Sequence, residues 1–502
     1  MTAASRGPSP AGEERTPAGE GGRLPPYQPR AGTIPTLPVP DRSGWRRLHL
    51  VGIGGAGMRG IARLLMADGV VVSGSDLKDS PALDGLRSAG AEVFVGHRAE
   101  QVGRPDAVVV SSAIPWTNPE VRSAVGDGIP VLMRAQVLAA LMEGTRGIAV
   151  AGTHGKTTTT SMISVMLRES GLDPTYVIGG DLNESGSGAE HGDGDVFVAE
   201  ADESDGTFLL LSPEIAVITN VDVDHVDFYR DREEIGSAFA AFAQHAGTVA
   251  ACWEDPGVRR ALAHHPNVIR YGEGLDLEVR VTSMELQGWT SLATFDVRGR
   301  SVDVRLNVPG RHNVMNAAAA MAVASALGVD PRAAADGLQA FGGVRRRFER
   351  RGAARGAVFV DDYAHNPRKV EAAITAATSV MALALNGDGR LLAVFQPHRY
   401  SRTRAMWREL GESLSEADVV VLTDVYGAGE QPIPGVTGKL LVDALTEAEP
   451  GKRVVYLPRR SDVAAFLATH IRPGDLVLTL GAGDITTVGE ETLERIRVRE
   501  AS

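Results

Sequence analysis

The feature that most constrains this chain is a rhythm of short apolar runs alternating with Ala-rich helical stretches from about residue 45 to the end. The runs at 148–151, 196–199, 215–219, 358–360, 391–395, 419–423 and 476–480 are rich in Val, Ile, Leu and Ala, and nearly all end in Gly, Asn, Asp, Glu, Gln or His. Strands apolar on both faces belong to parallel sheets covered by helices, and each parallel pair needs a crossover to return the chain. The rhythm predicts an α/β fold. Ligands of such sheets sit beyond the carboxyl ends of the strands, so polar residues there are the first candidates for a site. Residues 275–308 break the pattern with period-two stretches around Gly288 and Gly299, which predicts a small antiparallel insertion.

A chain of 502 residues divides into about three domains of common size. Residues 1–44 hold nine of the 27 prolines and few large apolar groups, and so read as a disordered tail. Domains are expected at 45–145, 146–343 and 344–502. Lys and Arg number 51 against 63 Asp and Glu, and the resulting −12 disfavours nucleic acid or anionic lipid as partner. The lone Cys252 excludes a disulfide framework and suits a reducing compartment. With no eighteen-residue apolar run and no signal-peptide core, the expectation is a cytoplasmic protein without membrane contact, monomeric or weakly dimeric.

Two glycine loops stand between a strand and a helix. The first, Gly52-Ile53-Gly54-Gly55-Ala56-Gly57, has the dinucleotide spacing, which lets backbone amides approach a diphosphate at a helix start. The next strand leads to Ser75-Asp76, where a carboxylate can accept from a ribose; spacing alone leaves NAD and other nucleotides open. The second, Gly152-Thr153-His154-Gly155-Lys156-Thr157, precedes a helix made amphipathic by Met162, Ile163, Met166 and Leu167. It is a shortened P-loop: amides and Lys156 surround phosphates, and the Thr157 hydroxyl can ligate Mg²⁺. The carboxylate run from Glu200 to Asp205 and the stretch from Asn220 to His225 follow the next strands, where oxygen ligands fit Mg²⁺.

Taken in order, Gly152 to Thr157, Glu200 to Phe208, Thr219 to His225, His312-Asn313-Val314-Met315-Asn316, Arg346-Arg347-Phe348 and Asp362-Tyr363-Ala364-His365 resemble the Mur ligase family, which builds the peptide stem of peptidoglycan. Gly52 to Met58, Gln396 to Thr403 and Gly481 to Ile485 are similar to its alanine-adding branch. The resemblance implies a Rossmann-like first domain for a UDP-sugar, a central P-loop ATPase domain and a Rossmann-like third domain for the amino acid. It implies that ATP, UDP-N-acetylmuramate and L-alanine give ADP, phosphate and an amide.

Carried over by motif, the resemblance implies that Gly152, Thr153, His154, Gly155, Lys156, Thr157, Thr158, Asn313, Asn316 and Arg347 hold ATP. Thr157, Glu200 and His225 are implied to hold Mg²⁺. Gly54, Gly55, Gly57, Asp76 and Ser112 fall to the UDP-sugar, and Tyr363, His365, His398, Arg399 and Arg402 to alanine. Lys156, His225, His365 and Arg399 are the implied catalytic residues. One departure is Asn366, where the alanine-adding pattern carries a second histidine; it leaves serine or glycine open as the amino acid. A tripeptide-attaching ligase of the same family and a noncatalytic nucleotide-binding scaffold compete with this reading. Retention of Lys156, Thr157, Glu200, His225, His365 and Arg399 together argues against the scaffold.

Overall fold

The computed structural model describes residues 37–183, 185–222, 228–385 and 387–501. The proline-rich stretch up to residue 36 and His225 lie outside the described residues. Three sheets follow one another along the chain. In the first, five parallel strands run in the order Glu92–Val95, Val71–Asp76, Arg47–Val51, Ala107–Val110, Val131–Met133. The order reverses between Arg47–Val51 and Ala107–Val110, so the loops leaving those two strands diverge and open a crevice at the carboxyl edge. Gly52 to Gly57 lies there.

The second sheet has ten strands. Its glycine-loop strand, Arg146–Ala151, is central, with Val196–Glu200 parallel on one side and Ile215–Ile218 parallel on the other. Three carboxyl-end loops therefore converge. The helix Lys156–Glu169 covers this strand, with Met162, Ile163, Met166 and Leu167 all fully buried. The antiparallel segment is Val279–Gln287, Thr290–Val297 and Arg300–Leu306, turned by Gly288 and Gly299 at φ 68° and 85°. It does not stand apart, because Val279–Gln287 pairs in parallel with Val268–Gly272 and extends the same sheet.

The third sheet runs Glu349–Ala354, Ala357–Asp362, Leu476–Leu480, Leu391–Phe395, Val419–Leu422, Arg453–Tyr456, parallel except for its first strand. The first two sheets share an apolar core in which Met58 and Ile61 of the helix Ala56–Ala67 join Val177, Ala189 and Phe197. A Cβ on Gly60 would stand 2.9 Å from Val177 Cγ1, so glycine is what lets that helix approach so closely. The third sheet has cores of its own, and the hairpin tip residue Trp289 packs on one of them, 6.3 Å from the Phe348 ring centroid. Among the described residues no helix is long and apolar enough to cross a membrane.

Candidate active site

Residues at the carboxyl ends of strands in all three sheets line one cavity of about 1150 Å³. At its centre is the second glycine loop. Gly152 has φ 137°, and a Cβ there would run into Thr219 Oγ1; Gly155 has φ 82°, with Asn316 Oδ1 2.8 Å from where its Cβ would stand. The neighbouring strand ends brace the loop. His154 N donates to Asn220 Oδ1 at 2.8 Å, while Thr219 Oγ1 and Asn220 Nδ2 donate to His154 O at 2.6 and 2.9 Å. Helix geometry then leaves the amides of Lys156, Thr157 and Thr158 without intrahelical acceptors, an anion site facing the cavity.

Lys156 Nζ donates to Gly152 O at 2.7 Å and to both oxygens of the fully buried Glu203 at 2.8 and 2.7 Å. Burial pulls its pKa down, but Glu203, Asp202 and Glu200 more than offset this and hold it above the ordinary lysine value. It is a firmly charged ammonium. Thr157 Oγ1 donates to Glu200 Oε1 at 3.1 Å, and Gly179 N donates to Glu200 Oε2 at 2.8 Å. These hard oxygen donors, fixed beside the phosphate-facing amides, suit Mg²⁺, which takes few protein ligands and completes its shell with phosphates and water. Among the described residues no three His, Cys, Asp or Glu side chains form a metal cluster.

Asn313 and Asn316 are buried and bonded to each other through Asn316 Nδ2 and Asn313 Oδ1 at 3.2 Å. Thr159 Oγ1 donates to Asn316 Oδ1 at 3.2 Å, tying the pair to the glycine-loop helix. Asn313 also donates to Pro309 O at 2.7 Å, so local capping and cavity lining coexist in one residue. Cys252, Tyr271, His312 and Phe341 complete that end.

The third domain reaches in with Arg347, whose Nη2 donates to Thr157 Oγ1 at 3.2 Å. Its guanidinium and that of Arg346 lie 5.2 and 4.7 Å over the Tyr363 ring. His365 Nδ1 donates to Tyr363 O at 2.8 Å, which leaves the lone pair on Nε2. Burial, then Lys369 and Arg402, push His365 well below the ordinary histidine value. His398 accepts from Arg402 through Nδ1 at 3.3 Å and is pushed down to about 4 by burial and by Arg402 and Arg399. Both imidazoles are neutral near pH 7. Arg399 adopts φ 67°, a strained conformation held by its N–H bond to Tyr426 O at 2.9 Å. Arg368, Lys369, Arg399 and Arg402 make this end of the cavity cationic in a chain of net charge −12.

The first glycine loop lies on a second cavity of about 640 Å³, shared by Gly57, Arg134, Thr157, Glu200 and Arg347. Asp76 Oδ2 accepts from Gly54 N at 3.0 Å, so one oxygen of the expected ribose acceptor braces the loop. Ser112 lies on the larger cavity. The sequence reading did not single out Arg134, which sits against Gly57 and pairs with Asp202 at 3.3 Å. Nor did it find Tyr426, stacked on His398, or Arg368, whose Nη1 crosses from the third domain to Asp222 at 2.8 Å. The only signal for Arg134 was its place just after the strand Val131–Met133. Asn366 caps the helix Pro367–Ala384, its Oδ1 accepting from Lys369 N at 3.0 Å.

Family models match almost end to end: the Mur ligase family catalytic domain at residues 47–146, the Mur ligase middle domain at 150–324, and the Mur ligase glutamate ligase domain at 346–483. The chain is 47% identical to a UDP-N-acetylmuramate--L-alanine ligase of Mycobacterium sp. (strain JLS), over 92% of this chain and 97% of that one. It is 48% identical to the enzyme of that name from Rubrobacter xylanophilus, over 90% and 100%. Its structure is similar to that of UDP-N-acetylmuramate-alanine ligase MurC from Thermotoga maritima, with a TM-score of 0.78 and 28% identity over 90% of this chain and 99% of that one. A murein peptide ligase from Psychrobacter arcticus is similar at a TM-score of 0.67 and 25% identity, over 90% and 98%. Three domain matches in order, with near-half identity over whole relatives, establish that this chain belongs to the Mur ligase family.

Proposed function

We propose that this Mur ligase joins L-alanine to UDP-N-acetylmuramate at the expense of ATP, a step of peptidoglycan precursor synthesis. The observation that carries the reading is the single cavity in which Lys156 and Thr157, Asn316, Arg347, and the His365, Arg399 and Arg402 group meet. Near-half identity to ligases of that name supports the choice of alanine over a tripeptide.

A carboxylate is a poor acyl donor because oxide is too basic to leave. The muramyl carboxylate oxygen attacks the ATP γ-phosphorus, the bond to the β-phosphate oxygen breaks, and ADP departs. The alanine amine then attacks the acyl phosphate carbon, and the C–O bond breaks to release phosphate. Phosphoryl transfer asks mainly for alignment and charge cancellation. Lys156, turning from Glu203, and the amides of Lys156 to Thr158 hold the phosphates; Arg347 adds charge from the third domain. Thr157 and Glu200, with His225, would hold Mg²⁺, which supplies neutralisation of phosphate charge when bound. Gly54, Gly55, Gly57, Asp76 and Ser112 serve the UDP-sugar, with Arg134 against the same loop. Arg399 and Arg402 grip the alanine carboxylate, bidentately where a fork faces it. His365 Nε2, bearing the lone pair, accepts the proton the amine sheds.

The test is phosphate release with each substrate omitted in turn, across L-alanine, glycine, L-serine and the tripeptide. One phosphate per amide, requiring UDP-N-acetylmuramate, MgATP and L-alanine together, is the expected result. Turnover with the tripeptide and none with alanine would reassign the enzyme to recycling.

A further inference from the structure

Beneath the first glycine loop lies a polar cluster that the proposed chemistry does not use. Glu120, in the first turn of the helix Pro119–Asp127, has no exposed surface, and neither has His49 on the strand Arg47–Val51. Glu120 Oε1 lies 3.6 Å from His49 Nε2, and His49 Nδ1 lies 2.9 Å from Ser73 Oγ. Ser75 Oγ donates to Glu120 Oε2 at 2.5 Å, and His97 Nδ1 stands 2.8 Å from Ser75 Oγ and 3.1 Å from the same carboxylate oxygen. A purely structural plug here would be cheaper as apolar side chains, since a buried carboxylate must recover its lost hydration from its partners.

Of these side chains His97 is the most exposed, at 11%. Ser75 spends its proton on Glu120, so its oxygen accepts from His97, and the His97 hydrogen sits on Nδ1. In the neutral imidazole Nε2 then carries the lone pair, and among the described residues no protein group bonds to it. His97 follows the strand Glu92–Val95 at the carboxyl edge of the sheet, and Gly96 N bonds to Asp76 O at 2.7 Å. Ser75 also links the cluster to the glycine loop, because its carbonyl accepts from Gly52 N and Ile53 N at 2.8 and 3.0 Å. The cluster, the loop and the ribose-side carboxylate thus share one strand end.

We propose that Glu120 is a positioning residue that fixes the tautomer and orientation of His97, so that His97 Nε2 accepts a hydrogen bond from a ribose hydroxyl of the nucleotide in this crevice. Hydroxyls are the fitting class, because a lone pair accepts from a diol and gains nothing from an unprotonated diphosphate. The inference rests on the reading that the first domain binds a uridine nucleotide.

The test is titration of the full chain with UDP and with 2′,3′-dideoxy-UDP. His97→Ala weakens UDP roughly tenfold, the scale of one lost hydrogen bond in a partly closed site, and leaves dideoxy-UDP unchanged. Glu120→Gln weakens UDP to a similar degree alone and adds nothing in the His97→Ala background, whereas a merely structural glutamate would weaken both ligands in both backgrounds. Should Glu120→Gln fail to fold, Ser75→Ala removes one link of the same chain and is expected to weaken UDP about threefold with dideoxy-UDP unaffected. His97→Ala without effect, or with equal effect on both ligands, overturns the proposal alone. Parent protein that binds neither ligand overturns the uridine reading with it.

Discussion

The two glycine loops share a backbone device and differ in what surrounds it. Both bend a strand into a helix and turn first-turn amides toward a crevice. The first loop is braced within its own domain: Asp76 accepts from Gly54 N, and Ser75 O accepts from Gly52 N and Ile53 N. Of the arginines on its cavity, Arg134 is paired with Asp202 and Arg59 with Asp181. The second carries its own cation, Lys156, gripped by Glu203, and is completed from another domain by Arg347 on Thr157. On the proposed function the first is a holding site, and the second is built for charge that moves during reaction.

The sharpest way to break that contrast is Lys156→Met. We expect kcat to fall roughly 10³-fold, with UDP affinity unchanged. The change also strips Glu203 of its ammonium, which destabilises by about 3 kcal/mol. The double variant Lys156→Met, Glu203→Gln restores neutrality and should recover thermal stability without recovering turnover. Turnover returning with stability would show that the lysine serves folding alone.

Paired glycine substitutions come next. Gly152→Ala puts a Cβ into Thr219 Oγ1 at a φ that L-residues rarely adopt, and it has the backbone nitrogens of Thr219 and Asn220 3.1 Å away. Nothing there can yield cheaply, so ATP-dependent turnover should fall at least about 100-fold. Gly57→Ala meets only the end of the Arg134 side chain, which can swing away. We expect KM for UDP-N-acetylmuramate to rise about tenfold with KM for ATP unchanged, the scale of one displaced charged contact. Equal effects of the two substitutions on both substrates would erase the distinction between the loops.

Much of this was legible in the sequence where local physics decides. Parallel strands buried on both faces must be apolar throughout, which is why 391–395 and 476–480 coincide with Leu391–Phe395 and Leu476–Leu480. The edge strand Glu92–Val95 has four residues and none fully buried, and Thr175–Val177, though buried, has only three, so neither left a comparable pattern. The lysine, threonine and carboxylates of the second loop were readable because they follow strands. Arg134 and Arg368 were not, because their partners Asp202 and Asp222 lie in a neighbouring domain, and Tyr426 was not, because its stacking on His398 joins two loops distant in the sequence. Asn366 shows the reverse case: the departure from the family pattern falls at a helix start, where asparagine is among the best caps and where its oxygen bonds Lys369 N.

The smallest expected effect separates the loops by pH. Burial pushes Asp362 up to about 6, against the opposing pull of Arg347 and the amides of Phe348 and Ala364. Above that pH its charge helps hold Arg347 over Thr157; below it the carboxyl is protonated and that attraction is lost. kcat should fall about twofold at pH 6 and further below, while affinity for UDP-N-acetylmuramate, which we assign to the first loop, stays flat. His398, down at about 4, enters only at lower pH. Stability through Asp362 moves the other way. Its folded pKa lies above the unfolded value near 4, so the folded state holds the proton where the unfolded state has lost it. Its contribution therefore becomes more favourable as pH falls from 6 toward 4. Activity lost over a range in which this group favours folding cannot be ascribed to its unfolding the chain. Asp362→Asn should remove the limb near 6; a limb that survives the substitution would place the titrating group elsewhere and leave Arg347 positioned by geometry alone.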